Sequence, residues 1–346
     1  VAVARSRFLL SSCLAHGRLT AFPLEHNDFR RSLFANLESP APDVDLTTSI
    51  CGLELRNPVM MASGTFGHAA EYAGLVDLSR LGGVVTKTIT RHPRAGNPPP
   101  RTAETPSGML NSIGLTNPGL EGFVAEKLPL LAELPTSVVV SIAGTSSEEF
   151  AEMAKAFDGR PGVDALELNI SSPNMKDGGM LFGCRESSAR EVTEAVKRAT
   201  SLPVIVKLTP NVTDIVAIAS AVEEGGADGI AMINTLLGMA IDVDSRRSIL
   251  GNVTGGLSGP AIRPVALAMV WKVASRVSIP VFGMGGIQTA EDALAFLIAG
   301  ASAVQVGTAT FVDPWAAVEI VDGIADYCSR NELLLGDLVG SLDAGP

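Results

Sequence analysis

Asp164-Ala165-Leu166-Glu167-Leu168-Asn169-Ile170-Ser171-Ser172-Pro173-Asn174 is the stretch on which the fold turns. Its first half is an almost unbroken apolar run, the pattern of a strand buried on both faces of a parallel sheet. Its second half sets two side-chain amides and two hydroxyls within six residues, with a proline to hold the turn. A strand end with so many hydrogen-bonding groups is costly to bury without a ligand. The stretch therefore predicts a parallel-sheet protein and, at the strand's C-terminal end, a grip for a small, flat, polar molecule.

Working outward, the same unit recurs. Short apolar runs fall at 58–62, 83–88, 137–142, 165–170, 204–208, 229–233, 280–283 and 303–306. Helical patterns fill gaps between them at 147–157, 187–200, 214–224, 262–275, 290–299 and 315–328. Ser146 ahead of Glu148-Glu149, and Thr289 ahead of Glu291-Asp292, are helix-start signals. Eight strand–helix units predict an α/β fold of the TIM (β/α)8 barrel type. A doubly wound open sheet is the alternative, but no G-x-G-x-x-G follows the first strand. A small hairpin is expected over 46–55, around Cys51-Gly52. Two long connections, 89–120 and 235–261, would emerge at the C-terminal face as lids or binding walls. The simplest division is one barrel domain over 46–340. Residues 1–45, with scattered Arg, read as a poorly ordered leader or a start placed too far upstream.

Composition narrows the function. With 346 residues, 46% of them hydrophobic, the chain can bury a large core. A net charge of −11 argues against a nucleic-acid partner. Cys13, Cys51, Cys184 and Cys328 are far apart, with no C-x-x-C pair, which disfavours a metal or iron–sulfur site and a disulfide framework. The plain reading is a cytoplasmic protein with no membrane anchor and no metal. His16, His26, His68 and His92 have no carboxylate partner at a strand end, which counts against a Ser-His-Asp hydrolase.

Three sets of residues carry chemistry. Gly285-Gly286 and Gly307-Thr308 end the last two strands, and Gly255-Gly256 and Gly259 lie in the long loop after the sixth. Tight turns would explain any one of these motifs; three on adjacent strand ends predict a phosphate cradle. Lys87 and Lys207 lie within apolar strands, where a lysine is seldom buried without a partner. Each could stabilise a reduced ring or a carboxylate, or form a Schiff base. Asn111, Asn117, Asn169, Asn174 and Asn234 recur on the same face, and an amide that donates and accepts suits an imide ring. For Asn117 and Asn174, each beside a proline, turn formation is an equal alternative.

Together these residues resemble the dihydroorotate dehydrogenases, over about Val44 to Leu338. The motifs are Asn57-Pro58 through Ala62-Ser63-Gly64-Thr65-Phe66-Gly67, Thr86-Lys87-Thr88, Asn111 to Gly119, Asn169 to Asn174, Lys207 to Asn211, Ile233-Asn234-Thr235 and the glycine motifs. The loop Arg91 to Arg101, with Pro210 to Asp214 and Thr254 to Pro264, resembles the class 1B branch in particular. The resemblance implies FMN across the barrel mouth. Its site would comprise Ala62, Ser63, Gly64, Lys87, Thr88, Ser141, Asn169, Lys207, Ile233, Gly256, Gly259, Gly285, Gly286, Gly307 and Thr308. Dihydroorotate or orotate would be held by Lys87, Asn111, Ile113, Gly114, Leu115, Asn169, Asn174, Asn234 and Thr235. A base takes the proton from carbon 5 while a hydride leaves carbon 6 for flavin N5, in the pyrimidine pathway.

One position departs from the pattern. The class 1 members that the chain otherwise resembles use cysteine as that base; here the position is Ser172, as in the membrane-associated class 2. A serine hydroxyl must be activated, and a water- or Thr-assisted relay is expected to do so. The class 1B likeness also implies a homodimer, or a heterotetramer with a subunit that carries FAD and a [2Fe–2S] cluster and passes electrons to NAD⁺. A direct fumarate or quinone user, a related dihydropyrimidine oxidoreductase and an inactive flavin-binding subunit are the alternatives.

Overall fold

The computed structural model describes residues 44–72, 74–171 and 182–345. The chain divides into two units, 1–41 and 42–346, and all described residues belong to the second. The expected leader lies, as far as residue 43, outside the described residues. So do Ser172 and Asn174.

A hairpin comes first, β1 (Thr48–Ile50) against β2 (Leu53–Leu55), where the sequence predicts one. The barrel strands are β3 (Val59–Met61), β4 (Gly83–Val85), β7 (Ser137–Ile142), β8 (Ala165–Asn169), β9 (Val204–Lys207), β10 (Gly229–Met232), β15 (Val281–Met284) and β16 (Ala303–Val306). Each coincides with an expected apolar run. They close in the order β10-β15-β16-β3-β4-β7-β8-β9, every neighbour parallel. Ile50, Leu53 and Leu55 of the hairpin cluster with Met60, Val139, Ile205 and Phe282, so the hairpin plugs one end of the barrel interior.

The helices are α1 (Gly119–Glu126), α2 (Leu128–Leu131), α3 (Ser147–Phe157), α4 (Glu186–Ala199), α5 (Ile215–Glu224), α6 (Arg263–Ala274), α7 (Ala290–Ile298), α8 (Ala316–Asn331) and α9 (Leu335–Leu338). Their starts follow from side-chain caps. Ser146 accepts from Glu149 N, Asp214 from Val216 N and Ala217 N, and Thr289 forms a capping box with Asp292. The first connection differs from a full strand–helix unit. Among the described residues it holds only the 3-10 turns Ala70–Tyr72 and Leu78–Arg80. Gly64, Gly67 and Gly74 interrupt any helical run there.

The two long connections are not plain loops. They supply β5 (Thr102–Thr105), β6 (Gly108–Asn111), β11 (Leu236–Gly238) and β14 (Gly255–Ser258), which pair as one antiparallel sheet in the order β11-β14-β6-β5. A further hairpin joins β12 (Ile241–Asp242) to β13 (Arg247–Ser248).

Ladder register stacks the inward side chains in layers supplied by alternate strands. Phe282, Met60, Val139 and Ile205 form an apolar layer. Ala231, Gln305, Val85 and Glu167 lie above it, then Met284, Ala62, Ser141 and Lys207. Ile233, Gly307, Lys87 and Asn169 form the rim. Polarity therefore rises toward the strands' C-terminal ends, where the site lies.

Candidate active site

A cleft of about 1280 Å³, counted out to its open mouth, lies over the rim. Lys207, Ala62 and Met284 floor it; Ile233, Lys87 and Asn169 wall it. The small sheet roofs it through Thr102, Met109, Asn111 and Ser258. The structure thus brings Ala62, Ser63, Gly64, Lys87, Thr88, Asn169, Lys207, Ile233, Gly259, Gly285, Gly286, Gly307 and Thr308 to one cleft. Asn111, Ile113, Gly114, Leu115, Asn234 and Thr235 line it as well.

Two expected cofactor residues are set back from it. Ser141 is fully buried, with its Oγ 2.9 Å from Oγ1 of Thr88, which lines the cleft. Gly256 packs under Thr235: a Cβ there would lie 2.0 Å from Thr235 Oγ1. That close approach of the Thr235 side chain leaves no room for a Cβ at Gly256. Asn117 spends its amide inside its own loop. It accepts from Thr90 N and Gly119 N and donates to Thr90 Oγ1 and Leu115 O, so the turn alternative holds for it.

The rim asparagines are held in one orientation. Ser171 N–H donates to Asn169 Oδ1 (3.3 Å) and Thr235 N–H to Asn234 Oδ1 (2.8 Å). A backbone N–H can only donate, so each amide's oxygen is fixed and its nitrogen faces the other way. Asn169 Nδ2 donates to Thr88 Oγ1 (3.0 Å), and Asn234 Nδ2 to Ser171 Oγ (2.8 Å). Having accepted there, Ser171 Oγ gives its one proton to Asn169 Oδ1 (3.1 Å). Thr88 Oγ1 carries the chain on to Ser141 Oγ (2.9 Å) and Ser63 Oγ (3.3 Å). One N–H of each amide is left for a ligand, so this wall suits carbonyl or carboxylate oxygens.

Charge supports the same ligand type. Lys87 is half-buried on the rim; burial first, then the Arg101 guanidinium, holds its ammonium below the usual lysine range, with Glu71 opposing. Lys207 is almost fully buried, its Nζ 3.7 Å from a Glu167 oxygen. His68, in the loop after β3, is buried, its Nδ1 has no hydrogen-bond partner among the described residues, and burial pushes its pKa down to about 4.

The glycines form a cradle. Gly285 and Gly286 have φ of +126° and +80°. A Cβ on Gly286 would lie 2.7 Å from Gly259 O. At Gly307 a Cβ would meet nothing closer than 3.5 Å, so the protein's own packing leaves room there. Thr308 Oγ1 donates to Ser258 Oγ (2.8 Å), tying the strand end to the roof. A bare backbone cradle, an apolar lining of Ile233, Met284 and Ile287, and a floor cation together fit a phosphate-bearing planar ring. Sequence reasoning missed Met109, Ser258, Gln288, Gln305 and Phe311, which also line the cleft. A glutamine in an apolar strand was a usable signal for Gln305; nothing local marks the rest. Among the described residues no His, Cys, Asp and Glu cluster could hold a metal, and no helix is long and apolar enough to cross a membrane.

The dihydroorotate dehydrogenase family model matches residues 45–327. The chain is similar to proteins named dihydroorotate dehydrogenase B (NAD(+)), catalytic subunit. That of Geotalea daltonii is 52% identical over 299 residues, which is 86% of this chain and 98% of that protein. That of Pelobacter propionicus is 54% identical over 300 residues, covering 86% and 99%. That of Alkaliphilus metalliredigens is 53% identical over 300 residues, with the same coverage. From the strand ends, the cradle and these relatives, the chain belongs to the dihydroorotate dehydrogenase family, whose members use a flavin.

Proposed function

We propose that the chain is the catalytic subunit of an NAD⁺-linked dihydroorotate dehydrogenase, with FMN as its flavin. The observation that carries this reading is the rim. It sets two amides with fixed donors and the Lys87 ammonium beside a glycine cradle, over a floor bearing Lys207. Gly285, Gly286, Gly307 and Thr308 would hold the FMN phosphate. Ala62, Ile233 and Met284 would bound its ring, and Lys207 would offer it positive charge. The chemistry a bound FMN supplies is acceptance of a hydride. Lys87 binds the substrate carboxylate, and Asn111, Asn169 and Asn234 grip the ring's polar edges. Ser172 takes the proton from carbon 5 of dihydroorotate, so Ser172→Ala should halt orotate formation.

The relatives' printed names, catalytic subunit and NAD(+), support passage of the electrons to NAD⁺ through a second subunit that holds FAD and a [2Fe–2S] cluster. A test compares two substrates on the FMN-loaded chain with a dye acceptor. Dihydroorotate should be oxidised and dihydrouracil, lacking the carboxylate, should not. Equal turnover of the two would refute the role of Lys87.

A further inference from the structure

Glu167 sits in the middle of β8 with its side chain pointing into the barrel, one layer beneath Lys207. Its neighbours in that layer are Ala231, Val85 and, across the barrel, Gln305. It is fully buried, and among the described residues neither of its carboxyl oxygens has a hydrogen-bond partner. Among the same residues the Gln305 Oε1 has no partner either.

A buried carboxylate with no donor is among the most costly groups a core can hold. Among the described residues, the compensation within 4 Å is the Lys207 ammonium, at 3.7 Å. Lys207 borders the cleft, whereas Glu167 does not. The ammonium is therefore held between a fixed anion below and the ligand space above.

We propose that Glu167 is the positioning residue for Lys207. It holds the ammonium down against the cleft floor, under the flavin ring, and keeps it from swinging across to the substrate carboxylate that belongs to Lys87. The flavin part of this statement rests on the function proposed above; the ion pair does not.

The pairing predicts a sign that simple packing would not give. Lys207→Met strands a fully buried anion and should lower the melting midpoint of the flavin-free full chain by roughly 5–8 °C. Glu167→Gln strands a cation that borders the cleft and should cost less. The double variant should melt above Lys207→Met alone, because both charges are gone. If Lys207→Met is recovered only as insoluble protein, the double variant should be recovered soluble. Losses that simply add, or a double variant no better than Lys207→Met, would overturn the proposal.

The second readout is FMN affinity, by flavin fluorescence quenching on the stripped chain. Glu167→Gln should weaken FMN binding to within about threefold of Lys207→Met. The double variant should bind no more weakly than that. Wild-type affinity in Glu167→Gln would overturn the positioning role. A wild-type chain that takes up no FMN would overturn the cofactor reading instead, while the melting comparison still decides the pair.

Discussion

Ser171 joins the two rim asparagines, and Ser171→Ala removes one hydroxyl from the middle of their chain. Two hydrogen bonds go with it: donation to Asn169 Oδ1 at 3.1 Å and acceptance from Asn234 Nδ2 at 2.8 Å. The losses are unequal. Asn169 keeps the Ser171 backbone N–H on its oxygen and Thr88 Oγ1 under its nitrogen. Asn234 keeps Thr235 N on its oxygen but loses the partner of its nitrogen. Each neutral bond nets about 1 kcal/mol, and the freed N–H of Asn234, which is only partly buried and lines the open cleft, can meet water. Losing the two bonds should therefore cost about 1–2 kcal/mol of stability. Asn234, freed at one end, must be ordered again when ligand binds; about 1.4 kcal/mol for that ordering is a tenfold loss of orotate affinity. Orotate titration followed by the flavin absorbance change measures the second effect, and thermal unfolding the first. A variant that unfolds early yet binds orotate as tightly as wild type would refute the claim that this chain orients the amides for ligand.

Gly286→Ala should weaken FMN binding by more than about tenfold. The backbone is left-handed there, at a cost of about 1–2 kcal/mol to a Cβ, and the new methyl would press on Gly259 O at 2.7 Å; unchanged FMN fluorescence quenching would count against the cradle. Lys87→Met should lower orotate affinity by about 10–100-fold, the worth of a charge-assisted bond. In wild type, burial holds Lys87 below the usual lysine range, so orotate affinity should fall as pH rises, beginning below the pH of an ordinary lysine, and the variant should lack that limb. His68 ionises at about 4 when folded against 6.5 for the ordinary side chain. Between those values the unfolded chain takes up a proton that the folded chain refuses, so stability should fall as pH drops through that window and level off below it. Urea titrations of His68→Gln should show a shallower slope there, and an unchanged slope would place the effect elsewhere.

The barrel was legible because its strands are buried on both faces, so runs such as Ser137–Ile142 and Val204–Lys207 are apolar without alternation. Helix starts were legible wherever a side chain does the capping, as at Ser146 and Thr289. The roof sheet was not. β6 and β14 are four-residue strands, Gly-Met-Leu-Asn and Gly-Gly-Leu-Ser, too short and too rich in glycine to show a period. Their pairing joins segments more than a hundred residues apart, which no local pattern encodes. Within the site, lysines in apolar strands stand out in the sequence; Glu167 lies in the same kind of run, but its partner Lys207 arrives from the neighbouring strand, which no local pattern encodes. The role of Ser171 depends on Asn234, which arrives from another strand, so the hexapeptide alone could not distinguish it from Ser172.

The central claim is that this cleft oxidises dihydroorotate on a bound flavin. Its most direct test is anaerobic addition of dihydroorotate to the FMN-loaded chain, following the flavin's visible absorbance and the orotate released. Bleaching with one orotate formed per flavin is the expected result. A flavin that stays yellow under excess dihydroorotate, with no orotate formed, would contradict it.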